Sequence, residues 1–418
     1  MIHNFDQIDI IRDPYRALLS SGRTYAAFEK GTTIPLIHEL RHHGTIIDPM
    51  AGFGSLMQFC SEIDVSSFNI EYNPPTFLWG IISNPKYSTE ITGIIDALIA
   101  NKRKMPKIRK RADVSEAWFT TPSQEIIVKL FRKILKISTE HITKEMQEQI
   151  SLAILIPFVG RLACFVQGNI VTHVKRGGIC IYDGLTEDFD RYLVVLKKSV
   201  TNIQEKCVND NHEFVFGDLR TIKLDRKFSA FVTSPPYPNS RDYYKMFAPE
   251  NDCLLFLKSE GLINGLTVDE PLISCVSVSK YPNKNIIYRD DISSSSAQNF
   301  IEYLINYEGK KKQAKYDNRV YYIPYFTSYF YQIEMAYRNF ANYLEDTFEG
   351  YIIVVNNTAR NRVIPVAESI VELFQAIGYN AAINKKYSRE LSHVGSINPK
   401  VKGFKAKHME HSIKVWRK

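Results

Sequence analysis

Two short stretches carry residue types that could do chemistry together. The first is Thr233-Ser234-Pro235-Pro236-Tyr237, where hydroxyls, rigid carbonyls and an aromatic ring follow one another directly. The second is Asp48-Pro49-Met50-Ala51-Gly52-Phe53-Gly54-Ser55, an acidic residue leading into a glycine loop. Glycines let the backbone approach a ligand closely, and a helix opening near Ser55 would point amide N–H groups at it. Such a loop suits a nucleotide-type cofactor, although it lacks the GxGxxG spacing of a dinucleotide site. A third feature is Glu71, roughly twenty residues further on, the distance at which an acidic residue serves a ribose. One carboxylate can accept from both hydroxyls of the diol, while an acidic residue ahead of a plain turn would read the same way. Taken singly, the proline loop and the glycine loop also fit ordinary turns.

The elements that must position these residues are legible around them. Phe228–Val232 is apolar, β-branched and too short for a helix, so it reads as a buried strand. Two prolines then end it, because neither donates a ladder hydrogen bond and both fix φ. The loop therefore leaves the carboxyl end of a strand, where open α/β sheets hold their ligands. Thr45–Ile47 reads as a strand feeding the glycine loop, preceded by a helical spacing over Thr33–Arg41 that stops at Gly44. Ser67–Ile70 is a second strand, with Glu71 at its tip, and Glu213–Phe216 a third, followed by Gly217-Asp218-Leu219-Arg220. Asp218 alone reads as a turn or capping residue.

Taken together, Asp-Pro-x-x-Gly-x-Gly at 48–54 and the later Ser-Pro-Pro-Tyr at 234–237 resemble the motifs of the S-adenosylmethionine-dependent amino-methyltransferases of DNA. Met50 and Ser55 stand where that family usually has Phe and Thr. The resemblance spans roughly residues 20–80 and 210–418. It implies an α/β fold: a Rossmann-like methyltransferase sheet, mostly parallel with a terminal antiparallel strand, carrying a helical insertion. It implies S-adenosyl-L-methionine as cofactor, held by Asp48, Pro49, Gly52, Gly54, Glu71, Asp218 (toward the adenine amine) and Thr233. Ser234, Pro235, Pro236 and Tyr237 are the implied catalytic residues, with double-stranded DNA as substrate. A cognate restriction endonuclease, within a restriction-modification or related defence system, is the further partner such enzymes suggest. Serine at the head of the tetrapeptide points to cytosine N4. Adenine N6 is the alternative, followed by an RNA amine and a non-catalytic DNA-binding subunit.

The chemistry asked of these residues is specific. An exocyclic amine is a poor nucleophile because its lone pair is delocalised into the ring. The Ser234 hydroxyl and the Pro235 carbonyl would accept its hydrogen bonds and favour a pyramidal nitrogen. Positioning then supplies much of the acceleration. Tyr237 would stack on the base, which must leave the duplex to react. No cysteine follows a proline, so the Pro-Cys nucleophile of carbon-5 cytosine methylation is missing.

Around this frame, residues 20–83, 212–257 and 320–418 are assigned to the catalytic domain. Residues 84–211 are assigned to the helical insertion and 258–319 to a target-recognition segment. Within the insertion, Ser123 is a candidate N-cap for a helix carrying Ile126, Ile127, Leu130, Phe131, Ile134 and Leu135, and Lys144–Val159 and Asp188–Cys207 read as further helices. The departure from the family is the insertion's position, between the second and third strands. The basic run Asn101–Arg111 suits either solvated surface or phosphate contact. Residues 258–315 look irregular, with serines at 293–296 and lysines at 310–312. Asn239–Tyr244 is polar and aromatic. Tyr325–Phe348 reads as one tyrosine-rich helix with Tyr329, Met335, Phe340 and Leu344 in the core. Gly350–Asn357 reads as a buried strand, Pro365–Ile377 as a helix closed by Gly378, and Asn380–Asn384 and Ser412–Trp416 as closing strands.

The 418 residues suffice for a large core, as one domain with an insertion or as two domains. Their formal charge of +8 favours an anionic partner, and by itself it equally suits a merely soluble basic protein. Six scattered cysteines, without CxxC or zinc spacing, point to a reduced cytoplasmic protein with no structural metal. No signal peptide is visible, and the apolar run Leu152–Val159 is too short to span a membrane.

Overall fold

The computed structural model describes residues 28, 30–100, 121–137, 142–162, 185–238, 247–268, 272–273, 289–307, 321–355, 357–390 and 407–417. The basic run 101–111, the stretch 239–244 and the lysines at 310–312 lie outside them.

The molecule is α/β, built on a seven-stranded, mostly parallel sheet. Its strands are β1 (Ile46–Asp48), β2 (Ser67–Glu71), β3 (His212–Phe216), β4 (Phe228–Thr233), β5 (Leu344–Val355), β6 (Asn380–Glu390) and β7 (Lys407–Arg417). They lie in the order β3-β2-β1-β4-β5-β7-β6. The first five pair in parallel, and β7 runs antiparallel to both β5 and β6. From β1 the chain moves outward to β2 and β3, then returns to start β4 on the other side of β1. That reversal opens a crevice at the carboxyl ends of β1 and β4.

Alternation along the central strands shows that both faces are covered. Ile46, Ala230, Val232, Tyr351 and Ile353 face one way, against α1 (Lys30–Leu40) and α2 (Ser55–Glu62). Ile47, Phe231, Ile352 and Val354 face the other. There they meet α9 (Ser295–Ile305), α10 (Ile323–Ala341) and α11 (Val366–Ile377). Near-continuous burial of such strands is what a parallel sheet between two helical layers requires. Packing at the centre leaves no slack: a Cβ on Gly350 would sit 2.2 Å from the Phe231 ring. Phe231 itself meets Phe340 edge-on at 5.3 Å.

Between β2 and β3 the described residues are helical. They form α3 (Pro74–Ser83), α4 (Ser88–Ala100), α5 (Thr121–Leu135), α6 (Lys144–Leu162) and α7 (Leu185–Lys206). The amphipathic pattern is realised in α5, where Ile126, Ile127, Leu130, Phe131 and Ile134 are buried. The helix begins two residues before the expected Ser123 cap. These helices share one apolar core with Phe53, Met57 and Phe214 of the sheet region and with α8 (Ala248–Ser259).

Three expectations need correction. The tyrosine-rich helix stops at Ala341, and Leu344–Phe348 opens β5. Tyr329, Phe340 and Leu344 are buried, but Met335 is 38% exposed on the outer side of α10. Residues 258–315 are not wholly irregular. Ser294 caps α9 by accepting from the Ala297 N–H at 3.1 Å, and the Glu372 carboxylate of α11 accepts from the Ser294 hydroxyl and the Ser296 amide.

Candidate functional site

The glycine loop is fixed from below by Asp48. This last residue of β1 is fully buried, and its Oδ1 accepts from the Thr233 hydroxyl at 2.8 Å and from the Met50 amide at 3.1 Å. Oδ2 is buried without a partner. Burial pushes the Asp48 carboxyl up to about 7, against the lowering effect of its hydrogen bonds. The loop above turns through two left-handed glycines, with φ of +55° at Gly52 and +79° at Gly54. A Cβ on Gly52 would enter open space, whereas one on Gly54 would press on Met57 at 3.0 Å and Phe214 at 3.1 Å. The two glycines therefore do different work, Gly52 at the cleft and Gly54 in the packing that starts α2.

Glu71 staples two loops together. Its Oε2 accepts from the Gly52 amide at 2.8 Å and its Oε1 from the Asn73 amide at 2.6 Å. The Tyr72 backbone N–H also acts on this carboxylate, which still has acceptor capacity left beyond three donors. Desolvation raises this carboxyl as well, to about 7.

Asp218 follows β3 and is engaged by Arg220. Arg220 Nε donates to both carboxylate oxygens at 2.9 Å, and the Arg220 backbone N–H donates to Oδ1 at 2.9 Å. Arg220 also donates to Gln332 of α10 at 3.0 Å and lies 5.9 Å over the Tyr72 ring. The connection from β3 to β4 contains no helix. α10 and the turn after it cover it instead, with Asn339 donating to the carbonyls of Leu219 and Ile222 and Tyr343 to that of Ile222.

The proline loop leaves β4 beside the glycine loop. The Ser234 and Tyr237 hydroxyls share a hydrogen bond of 2.6 Å, and Tyr237 is 8% exposed. Tyr329 of α10 donates to the Pro236 carbonyl at 3.1 Å, and Asn357 donates to the Pro238 carbonyl at 2.9 Å. Among the described residues no donor reaches the Pro235 carbonyl.

These parts meet in one cleft of about 1040 Å³, open to solvent at the carboxyl ends of β1 to β4. Pro49, Gly52, Glu71, Asp218, Ser234, Pro235, Pro236 and Tyr237 all line it. Asp48, Gly54 and Thr233 do not, and act from beneath. The cleft also takes Phe28, Tyr72, Phe247, Leu272 and Ile273, to which sequence reasoning assigned no role. Tyr72 carried a local signal, being an aromatic residue beside the acidic strand tip. Phe28, Phe247, Leu272 and Ile273 come from distant segments with no motif around them. Phe28 reaches the cleft as its backbone N–H donates to the Ser55 hydroxyl at 3.4 Å.

Among the described residues no group of His, Cys, Asp and Glu is placed to hold a metal, and no helix is long and apolar enough to cross a membrane. Comparison with protein-family models, with curated proteins and with solved structures finds no match to this chain.

Proposed function

We propose that this chain is an S-adenosylmethionine-dependent amino-methyltransferase that modifies the N4 amine of cytosine in duplex DNA, on a Rossmann-like methyltransferase sheet. The observation that carries this reading is the convergence of the glycine loop, Glu71, Asp218 and Ser234-Pro235-Pro236-Tyr237 on one cleft at the sheet's switch point.

The residues fit the cofactor. Gly52 leaves open space where any other side chain would stand. Glu71 retains acceptor capacity for a diol while holding the loop. Tyr72, Phe53 and Phe247 offer apolar and aromatic wall to a purine. Asp218 would meet the adenine amine alongside Arg220, sharing its carboxylate. Asp48 and Glu71 hold their protons near neutrality, and a cationic ligand would draw both toward the charged form. When bound, S-adenosylmethionine supplies an electrophilic methyl group on a sulfonium, which leaves as a neutral thioether.

The chain's own task is to aim the amine. With Ser234 donating to the Tyr237 oxygen, both Ser234 lone pairs are open to the target N–H groups. The Pro235 carbonyl offers a second acceptor, and the anchored carbonyls of Pro236 and Pro238 hold the loop rigid. Two fixed acceptors draw the nitrogen toward a pyramidal shape and free its lone pair, a preorganised contribution of the kind that dominates electrostatic catalysis. The base must leave the duplex to reach Ser234 among the residues that line the cleft.

The direct test is calorimetric titration with S-adenosylmethionine, followed by labelled methyl transfer to duplex DNA. Saturable cofactor binding and label in DNA are expected. A folded chain that binds no cofactor overturns the reading.

A further inference from the structure

The carboxyls at and beneath the cleft are not balanced alike. Asp218 is matched by the Arg220 guanidinium. Asp48 and Glu71 have no such partner, and among the described residues neither forms an ion pair. Around Asp48, β4 supplies the Thr233 hydroxyl, the glycine loop the Met50 amide, α2 the Cys60 thiol and α10 the Tyr337 phenol. Cys60 and Tyr337 are fully buried, and burial together with the Asp48 charge pushes both up and keeps them neutral. Around Glu71 stand the amides of Gly52, Tyr72 and Asn73, and the charge of Asp48 itself.

These surroundings offer dipoles and no cation, and Asp48 Oδ2 lacks even a hydrogen bond. A buried carboxylate without a counter-charge is disfavoured, which is why both carboxyls are held near 7. Both also sit directly behind the cleft wall. Met50 and Gly52, whose amides they hold, line the cleft, as does Ser234, the chain neighbour of the Asp48-bound Thr233. A methyl group aimed at an amine on Ser234 brings its sulfonium to this wall.

We infer that Asp48 and Glu71 read the charge of the cofactor, selecting a sulfonium over the neutral thioether product by exchanging protons as the two alternate in the cleft. The inference rests on the function proposed above. With a sulfonium present, the carboxyls release protons and become its counter-charge. Transfer forms the N–C bond, returns the C–S electron pair to sulfur and frees one proton from the amine. The carboxylates then face no cation, and one proton is taken back, equal in number to the one the amine sheds. The product is left beside neutral acids.

The test is calorimetry with S-adenosylmethionine and with its thioether product, S-adenosylhomocysteine, between about pH 5.5 and about pH 7.5. Buffers of different ionisation enthalpy give affinity and protons released together. The two ligands differ only by the sulfonium methyl group, so their ratio isolates its charge. S-adenosylmethionine should release at least about half a proton more than the thioether near neutrality. Its affinity relative to the thioether should rise at least about fivefold across the range, because the free protein holds a proton that the sulfonium complex has lost. Asp48→Asn and Glu71→Gln, each checked by thermal melt, should each lower the excess proton release. If Asp48→Asn unfolds, wild type and Glu71→Gln decide. Equal proton release and parallel pH profiles for the two ligands overturn the inference and leave the methyltransferase reading intact, as does an excess undiminished in the folded variants. A folded wild type that binds neither ligand sinks the methyltransferase reading and this inference with it.

Discussion

The Thr233 hydroxyl donates to Asp48 Oδ1 at 2.8 Å, so the last residue of β4 is tied to the last residue of β1. The glycine loop leaves one end of this bond and the proline loop the other. The glycine loop and the proline loop are thus rooted in a single buried contact at the reversal of the sheet. The contact is built on a carboxyl whose charge burial disfavours.

That has a pH signature. The Asp48 carboxyl moves from an ordinary 3.8 to about 7 in the folded protein, so between these values the native state holds a proton that the unfolded chain has released. Its contribution to stability is largest below about pH 4, falls as pH rises toward 7 and is flat above. Glu71 acts with the same sign. Asp48→Asn keeps an acceptor for Thr233 and removes the titration. Urea unfolding should therefore show the variant gaining on wild type as pH rises from 4 to 8. A constant difference across that range would contradict the buried-acid assignment.

Gly52 and Gly54 should fail differently. Gly52→Ala places a methyl group in open space at the cleft, so cofactor affinity should drop at least about tenfold, with a stability cost of about 1 kcal/mol from the positive φ. Gly54→Val adds a clash with Met57 and Phe214 and should cost a further ~1–3 kcal/mol. Calorimetry and thermal melts on the two variants separate these effects. Equal destabilisation by both would contradict the division of labour.

Asp218 and Arg220 form a pair whose side chains are 10% and 8% exposed. Removing one partner strands the other, so Asp218→Ala should cost roughly 3–5 kcal/mol, and adding Arg220→Ala should recover part of it. A double-mutant cycle by denaturant titration measures the coupling. Strict additivity would mean that the pair holds nothing in place.

The cleft is legible in sequence where the backbone itself does the work. Paired prolines and left-handed glycines constrain conformation locally, so 48–54 and 234–237 can be read without knowing their surroundings. Glu71 is legible as a strand tip, but its grip on the Gly52 amide is a contact across 19 positions and leaves no spacing signal. The Arg220 engagement of Asp218 is close in sequence, yet a turn aspartate looks the same with or without it. Phe247 and Leu272 enter from outside any motif. The Tyr325–Phe348 pattern misleads because Phe340 and Leu344 are four apart and both buried, one closing α10 and the other opening β5. Burial on the same side of a helix-to-strand junction imitates helical periodicity.

Ser234 and Tyr237 are expected to act on turnover. Ser234→Ala should depress kcat by about one to three orders of magnitude, the scale for losing one positioned hydrogen-bond partner, while leaving S-adenosylmethionine affinity near wild type. Tyr237→Phe removes only the 2.6 Å partner of Ser234 and should be milder. Single-turnover kinetics on duplex DNA check both. A Ser234→Ala enzyme with full kcat would remove that hydroxyl from the reaction.

The proposed function turns on which atom receives the methyl group. Duplex DNA incubated with the protein and S-adenosylmethionine, digested to nucleosides and resolved by mass spectrometry, should yield N4-methylcytosine. N6-methyladenine as the sole product would contradict the cytosine assignment, and no methylated nucleoside from a protein that binds the cofactor would contradict DNA methylation itself.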